Sequence, residues 1–253
     1  MGTTRGFGVD IGGSGIKGGV VDLEAGKLIG DRLRIPTPQP SKPDAVADVV
    51  AEIAGEFEWT GPLGITLPAV IKRGEAFTAA NIDNQWIGAD AVGLFAERLG
   101  RERDQVIVLN DADAAGMGEI RYGWPGDRGG VVILLTFGTG IGSAVFLDGQ
   151  LVPNTEFGHL EVDGQDAETR AAASVKEGQD LSWDTWADRV SRYIRALEDL
   201  MCPDLVIAGG GVSKKADRWL PLLDVRTKVV AAELCNDAGI VGAAVAAHLG
   251  IQH

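Results

Sequence analysis

The chain has 253 residues, 45% hydrophobic and 23% charged, with a formal net charge of −13. That balance suits a water-soluble protein with enough core for one or two domains, and it argues against general nucleic-acid binding, which needs a basic face. No run is long enough to span a bilayer and the opening MGTTRGFGVD lacks a secretion-type apolar region, so no membrane association and a cytoplasmic location are expected.

In chain order, Gly6–Asp10 reads as a buried strand leading into DIGGSGIKGG. Within that stretch Gly13 to Gly18 fits the G-x-G-x-x-G of a dinucleotide site, but such a loop must open a helix. The next stretch, GGVVDLEAGKLIGDRLRI, instead carries β-branched Val20 and Val21 and a turn at Glu24–Gly26. Strands are therefore expected near 6–10, 17–22 and 28–36, a hairpin meander, and no Walker A pattern is present. The Pro-rich PTPQPSKP then leads to a helix near 43–56, a strand near 62–67, a loop with Trp86, a helix near 90–99 and a strand near 106–110. VVILLTFGTGIGSAVFLDGQLV repeats the opening order of strand, glycine loop, strand, Asp148-Gly149 turn and strand, which indicates an internal duplication. A polar loop to about 166 and helices near 167–176 and 182–200 come next, the second with Trp186, Val190, Tyr193, Ile194 and Leu197 on one stripe, read as core or dimer surface. LVIAGGGVSKKADRW gives a third glycine run with a helix expected after it, and GIVGAAVAAHL reads as a final helix. Cys202 and Cys235 lack metal-site spacing and read as buried free thiols.

Hairpin loops gather several backbone N–H groups at one point, which suits an anion. The candidate phosphate contacts are Gly12, Gly13, Ser14 and Lys17 in the first loop, Thr136, Gly138, Thr139 and Gly140 in the second, and Gly209, Gly210 and Gly211 in the third. Asn110 and Asp111 end an apolar strand before an Ala-rich helix, where either is a suitable cap. Three polar residues there, with Asp113, exceed what one cap requires, and a helix dipole keeps a carboxylate ionised as a general base must be. PNTEFGHLEV supplies Glu156, His159 and Glu161, and GQDAETRAAAS supplies Glu168, a cluster of hydrogen-bond donors and acceptors.

Together, DIGGSGIKGG, AANIDNQWIG, LNDADAAG, LLTFGTGIGSA, NTEFGHLEV and AGGGVSKKADRWLPLL resemble the ROK group (repressors, open reading frames, kinases) of the sugar kinase/actin/Hsp70 superfamily, over about residues 7–247. Within that group they are most similar to actinobacterial kinases that phosphorylate glucose from polyphosphate. The resemblance implies a two-domain, duplicated α/β fold of the actin-like (ribonuclease H-like) kind with an interdomain cleft. Its domains would be 1–111 plus 238–253, with the final helix packing back on the first domain, and 112–237. It implies Asp111 as the base that accepts the proton of the sugar 6-hydroxyl, with Asn81, Asn110, Glu156, His159 and Glu168 on the other hydroxyls and Glu161 in support. It implies Mg²⁺ oriented by Asp10, usually through an intervening water, Lys17 neutralising phosphate oxygens, and a homodimer. The chain departs from many members in lacking the C-x-C-G-x-x-G-C zinc motif after the histidine, so no structural zinc is expected. Sugar-responsive repressors of the group carry a helix-turn-helix ahead of the first loop, for which a loop beginning by residue 10 leaves no room. Nothing in the loop spacing distinguishes a polyphosphate donor from ATP. Lys17, Lys72, Arg73, Arg121, Lys214, Lys215 and Arg218 could line a groove for the longer anion or lie scattered on the surface. An ATP-only hexose or N-acetylhexosamine kinase is the alternative reading.

Overall fold

The structure is a computed structural model that describes residues 4–126 and 129–251. In chain order it has β1 (Arg5–Ile11), β2 (Ile16–Asp22), β3 (Lys27–Leu28), β4 (Leu33–Ile35), α1 (Pro43–Glu56), β5 (Leu63–Leu67), β6 (Ile71–Lys72), β7 (Glu75–Ala76), α2 (Ala91–Leu99), β8 (Val106–Asn110) and α3 (Asp111–Gly118). Then come β9 (Val131–Phe137), β10 (Ile141–Leu147), β11 (Gln150–Val152), β12 (Glu161–Val162), β13 (Gln165–Asp166), α4 (Glu168–Ala171), α5 (Ala173–Gly178), α6 (Trp183–Met201), β14 (Leu205–Gly209), β15 (Lys228–Ala231) and α7 (Ala238–Leu249). Two compact units result, Met1–Tyr122 with Asp237–His253, and Gly123–Asn236. The first segment runs to Tyr122 rather than stopping at residue 111, because α3 packs against α7 inside that unit.

Each unit is built on one sheet, and the two sheets share an order. In the first, strands run β3-β2-β1-β5-β8, with β4 also on β2. In the second they run β11-β10-β9-β14-β15. Both begin as an antiparallel meander and continue as two parallel strands, so the duplication read from the glycine hairpins extends to whole sheets.

Local chemistry sets the elements. Helix α1 starts at Pro43, whose missing N–H costs nothing in a first turn, and buries Val46, Val49, Val50 and Ile53 on the sheet side. Asp90 caps α2 by accepting from the Gly93 N–H, and Gly100 ends it in the left-handed conformation. Ser182 caps α6, whose stripe of Trp186, Val190, Tyr193, Ile194 and Leu197 is buried in the second unit's core. Helix α7 is apolar all round and lies on β1, β5 and α3 of the first unit, as expected of the final helix. Its approach is backbone to backbone: a Cβ on Gly8 would sit 1.9 Å from the Ile240 carbonyl oxygen, and one on Gly64 1.9 Å from that of Ala243.

Several expected elements differ. The strand expected over 28–36 is two short strands, parted where Gly30 turns at φ 77°. The helix expected over 167–176 is broken at Ala172, which is extended. The third glycine run opens a 3-10 segment, Gly211–Arg218, rather than an α-helix. Cys202 and Cys235 are free, but Cys202 is exposed and Cys235 half-buried, since Cys202 ends α6 in the left-handed conformation. Among the described residues no helix is long and apolar enough to cross a membrane.

Candidate active site

In the first unit, β1 and β2 place Asp10 directly across from Lys17. The Lys17 ammonium lies 3.0 Å from Asp10 Oδ2, and the buried Thr66 hydroxyl on β5 donates to Asp10 Oδ1 at 3.0 Å. Lys17 is thus the second residue of a strand and paired with a carboxylate, not a member of the loop, which is limited to Gly12–Gly15. The Gly12 N–H closes that loop on the Gly15 carbonyl at 3.1 Å. Thr37, Gln39 and Arg34 donate to the carbonyls of Gly12, Gly13 and Ser14. With its carbonyls turned to protein donors, the loop offers its amide edge to an anion. Asn81, exposed and left-handed at φ 60°, packs beside Gly13.

At the end of β8, Asn110 is the N-cap of α3. Its Oδ1 accepts from the N–H groups of Ala112 at 2.8 Å and Asp113 at 3.1 Å, and its Nδ2 donates to the Ala69 carbonyl at 3.2 Å. One amide hydrogen is left for a ligand, so its main work is the capping that the sequence also allowed. Asp111 opens α3, half-buried, and accepts from the Ala112 N–H at 2.9 Å.

In the second unit, the loop Gly138–Gly140 follows Thr136 and is fixed by Ser174, whose N–H donates to the Gly138 carbonyl and whose hydroxyl donates to that of Thr139. Gly209, the last residue of β14, pairs with Thr136. Gly210 takes φ 83°, and a Cβ there would lie 2.2 Å from the Phe137 carbonyl oxygen. Gly211 comes next, in open space. The second and third glycine runs are therefore side by side, above an aromatic cluster of Phe137, Trp186 and Trp219. Lys214 and Lys215 are exposed on the 3-10 segment, and Arg218 and Lys176 both lie over the Trp183 ring. Of the other basic candidates, Lys72 and Arg121 lie over Phe77 and Tyr122, and Arg73 occupies the β6–β7 turn.

Glu156 precedes and His159 ends a short 3-10 turn, Phe157–His159, anchored by Ser143, which donates to the Thr155 carbonyl at 2.7 Å and accepts from the Phe157 N–H at 2.9 Å. His159 Nδ1 lies 2.9 Å from Asp166 Oδ2 and 3.9 Å from Glu168 Oε1. Glu168 is held by the Ile141 N–H, which donates to Oε2 at 3.1 Å. Glu156, His159 and Glu168 thus share one electrostatic neighbourhood. Partial desolvation raises the Glu156 carboxyl above its ordinary value, His159 opposing and Glu168 adding. The hydrogen bond to Asp166, with the charges of Glu168 and Glu156, raises the His159 imidazole against the effect of burial. Glu161 lies exposed at the start of β12, opposite Asp166. Sequence reasoning passed over Thr66, Ser143 and Asp166, the residues that hold these groups.

Residues 6–171 match the family model described as ROK family. The chain is 57% identical over 249 residues to a polyphosphate glucokinase of Mycobacterium tuberculosis (strain H37Rv), covering 98% of this chain and 93% of that protein. It superposes with a TM-score of 0.92, at 49% identity, on the inorganic polyphosphate/ATP-glucomannokinase of Arthrobacter sp. strain KM, covering 98% and 100% of the two chains. It also superposes with a TM-score of 0.81, at 26% identity and with 98% and 100% coverage, on a ROK family glucokinase from Streptomyces griseus solved with glucose and AMPPNP. The duplicated α/β fold is the fold of these sugar kinases, and the chain belongs to the ROK family.

Proposed function

We propose that this chain is a glucokinase that transfers the terminal phosphoryl group of inorganic polyphosphate, with ATP as a second donor, to the 6-hydroxyl of glucose. The observation that carries this reading is the 57% identity, sustained over nearly the whole chain, to a polyphosphate glucokinase. The site residues support it. Asp111 accepts the proton of the 6-hydroxyl as the oxygen attacks phosphorus, and the bond to the donor's bridging oxygen breaks. Glu156, His159 and Glu168 hold the remaining hydroxyls, joined by Asn81 and the free amide hydrogen of Asn110. The amide groups of Gly13 and Ser14, and of Thr139 and Gly140, with Thr136, bind donor phosphates, while the Gly12 and Gly138 N–H groups close the two loops, and Gly209–Gly211 extend the second of these surfaces. Phosphoryl transfer is mostly positioning and charge neutralisation, so this set suffices without a covalent intermediate.

Kinases of this kind require a divalent metal, and we assign Mg²⁺ to Asp10. The donor set fits a hard cation held through water: both Asp10 oxygens already accept hydrogen bonds, from Lys17 and Thr66. Bound there, Mg²⁺ would neutralise phosphate oxygens. Lys17 would then exchange Asp10 for the donor, adding a second positive charge. A homodimer in the cytoplasm completes the proposal. Initial rates with glucose and either long-chain polyphosphate or ATP test it. Polyphosphate-dependent formation of glucose 6-phosphate is expected, and activity with ATP alone would favour an ATP-only sugar kinase.

A further inference from the structure

We propose that Asp166 is the positioning residue of the sugar site, one carboxylate that sets both the ring of His159 and the start of the helix carrying Glu168. The inference rests on the reading of Glu156, His159 and Glu168 as sugar ligands. His159 is the residue that most needs such a partner: its side chain is 60% exposed, so packing does not fix the ring. Asp166 Oδ2 lies 2.9 Å from its Nδ1, while the nearer Glu168 oxygen is 3.9 Å away, beyond hydrogen-bond reach. The second oxygen of Asp166, Oδ1, accepts the Glu168 N–H at 3.1 Å. Asp166 is itself held at both ends. It pairs with Glu161 across the β12–β13 hairpin, and its carbonyl accepts the Thr169 hydroxyl at 2.7 Å.

A histidine ring bound at Nδ1 has only Nε2 to offer a ligand, and the partner at Nδ1 decides which nitrogen carries the proton. With Nδ1–H donating to Asp166, neutral His159 presents Nε2 as an acceptor for a sugar hydroxyl, and the imidazolium presents Nε2–H as a donor. In neither state does Asp166 need to touch the sugar. Glu168 is placed through its backbone, since Asp166 accepts its N–H at the start of α4. Its Oε2 is held by the Ile141 N–H, leaving Oε1 for a hydroxyl. The same carboxylate therefore aims two ligands from different elements of the chain.

Two measurements on the full chain test this. In steady-state assays, Asp166→Ala should raise KM for glucose by about tenfold, the lower end of the loss seen when the hydrogen-bond partner that orients a metal-bound histidine is removed. It should leave kcat within about threefold, and KM for polyphosphate and ATP unchanged, because only sugar binding is disturbed. Asp166→Asn, which keeps an acceptor for one of the two donors, should fall between wild type and Asp166→Ala. Gln165→Ala on the same hairpin should match wild type. A drop in kcat at constant KM for glucose, or equal rises in sugar and donor KM, would overturn the assignment.

The second measurement is ¹⁵N–¹H correlation of the His159 ring, which reports the tautomer without turnover. Wild type should show the proton on Nδ1, and Asp166→Ala should lose that preference. Loss of the preference in a protein without glucokinase activity would leave Asp166 as the partner of His159 and defeat the kinase reading instead. An active enzyme whose ring signals ignore Asp166→Ala would defeat this inference alone. Far-UV circular dichroism of each variant confirms that the fold is intact before either comparison is made.

Discussion

Gly64→Ala tests the contact between α7 and the first sheet. The added Cβ would lie 1.9 Å from the Ala243 carbonyl oxygen, 2.4 Å from its carbonyl carbon and 3.0 Å from its Cα. Ordinary contact begins at 3.4 Å, so the helix must rise by close to the 1.5 Å difference or the strand must sink by as much. All three obstructing atoms are backbone, so no rotamer change relieves the clash. A radial gap of about 0.5–1 Å already forfeits a quarter to a half of a dispersion contact. The gap would open beneath Ile240, Ala243, Ala244 and Ala247, all buried. Overpacking ordinarily costs about 1–3 kcal/mol. A rigid helix lifted off its sheet places this case at or above the upper end, and about 3 kcal/mol corresponds to a fall in Tm of roughly 6–12 °C at this chain length. Because α7 also brings Gly239 against Asp10, glucose phosphorylation should decline together with stability. Differential scanning fluorimetry measures the first effect, with Gly55→Ala as the control. Gly55 lies in α1 with nothing within 4 Å of the position a Cβ would take, and alanine there should be stabilising by about 0.5–1 kcal/mol. A Gly64→Ala protein melting within about 2 °C of wild type would refute the close-contact reasoning.

Asp111→Asn keeps the shape of the side chain but removes the proposed base, so kcat should fall by about 10²–10⁴ with glucose binding retained by calorimetry. For the pH dependence, Glu156 is raised above 4.5, chiefly by desolvation, so KM for glucose should begin to rise on acidification at a higher pH than an ordinary carboxylate would give. His159 is raised above 6.5, chiefly by the hydrogen bond to Asp166, with Glu168 and Glu156 facing it. Its stabilising contribution is full below 6.5 and is lost as pH rises through the folded value, so the Tm difference between wild type and His159→Gln should shrink in that direction. KM for long-chain polyphosphate should climb more steeply with KCl than KM for ATP, since each further neutralised phosphate releases counterions. Neutralising Lys214 and Lys215 together should weaken polyphosphate use more than ATP use, and equal salt slopes would contradict a basic track. Elemental analysis should find no stoichiometric zinc in the purified protein, and activity removed by EDTA should return with Mg²⁺.

The parts of the fold legible in sequence were those with a strong local cause. The two glycine hairpins sit between strands whose β-branched and apolar residues alternate with turns, and α1, α2 and α6 begin at Pro43, Asp90 and Ser182, each a recognisable start. Short elements lacked such marks. Strand β15 has four residues, none of them fully buried, and takes its place only by pairing with β14. The β6–β7 ribbon turns through Arg73 at φ 55°, a conformation no propensity assigns to arginine. At the site, residue types identified candidate ligands, but the residues that hold them depend on contacts made by folding. Thr66 meets Asp10 only because β5 lies beside β1. Asp166 was closer to legible: Asp163 and Gly164 both take positive φ, as an Asp-Gly hairpin turn requires, and that turn sets Asp166 back toward His159.

The return of α7 to the first unit has a consequence for synthesis on the ribosome. The second unit is one uninterrupted stretch, Gly123–Asn236, so every strand of its sheet can be made and paired before α7 exists. The first unit is begun earlier but finished later, because the apolar backs of β1 and β5 wait for a helix that ends at Leu249. Nascent domains generally fold from the N-terminal end, and this chain order predicts the reverse. On this chain order the glycine-lined face around Gly8 and Gly64 is expected to stay uncovered while the whole second unit is translated, and to close only when α7 emerges.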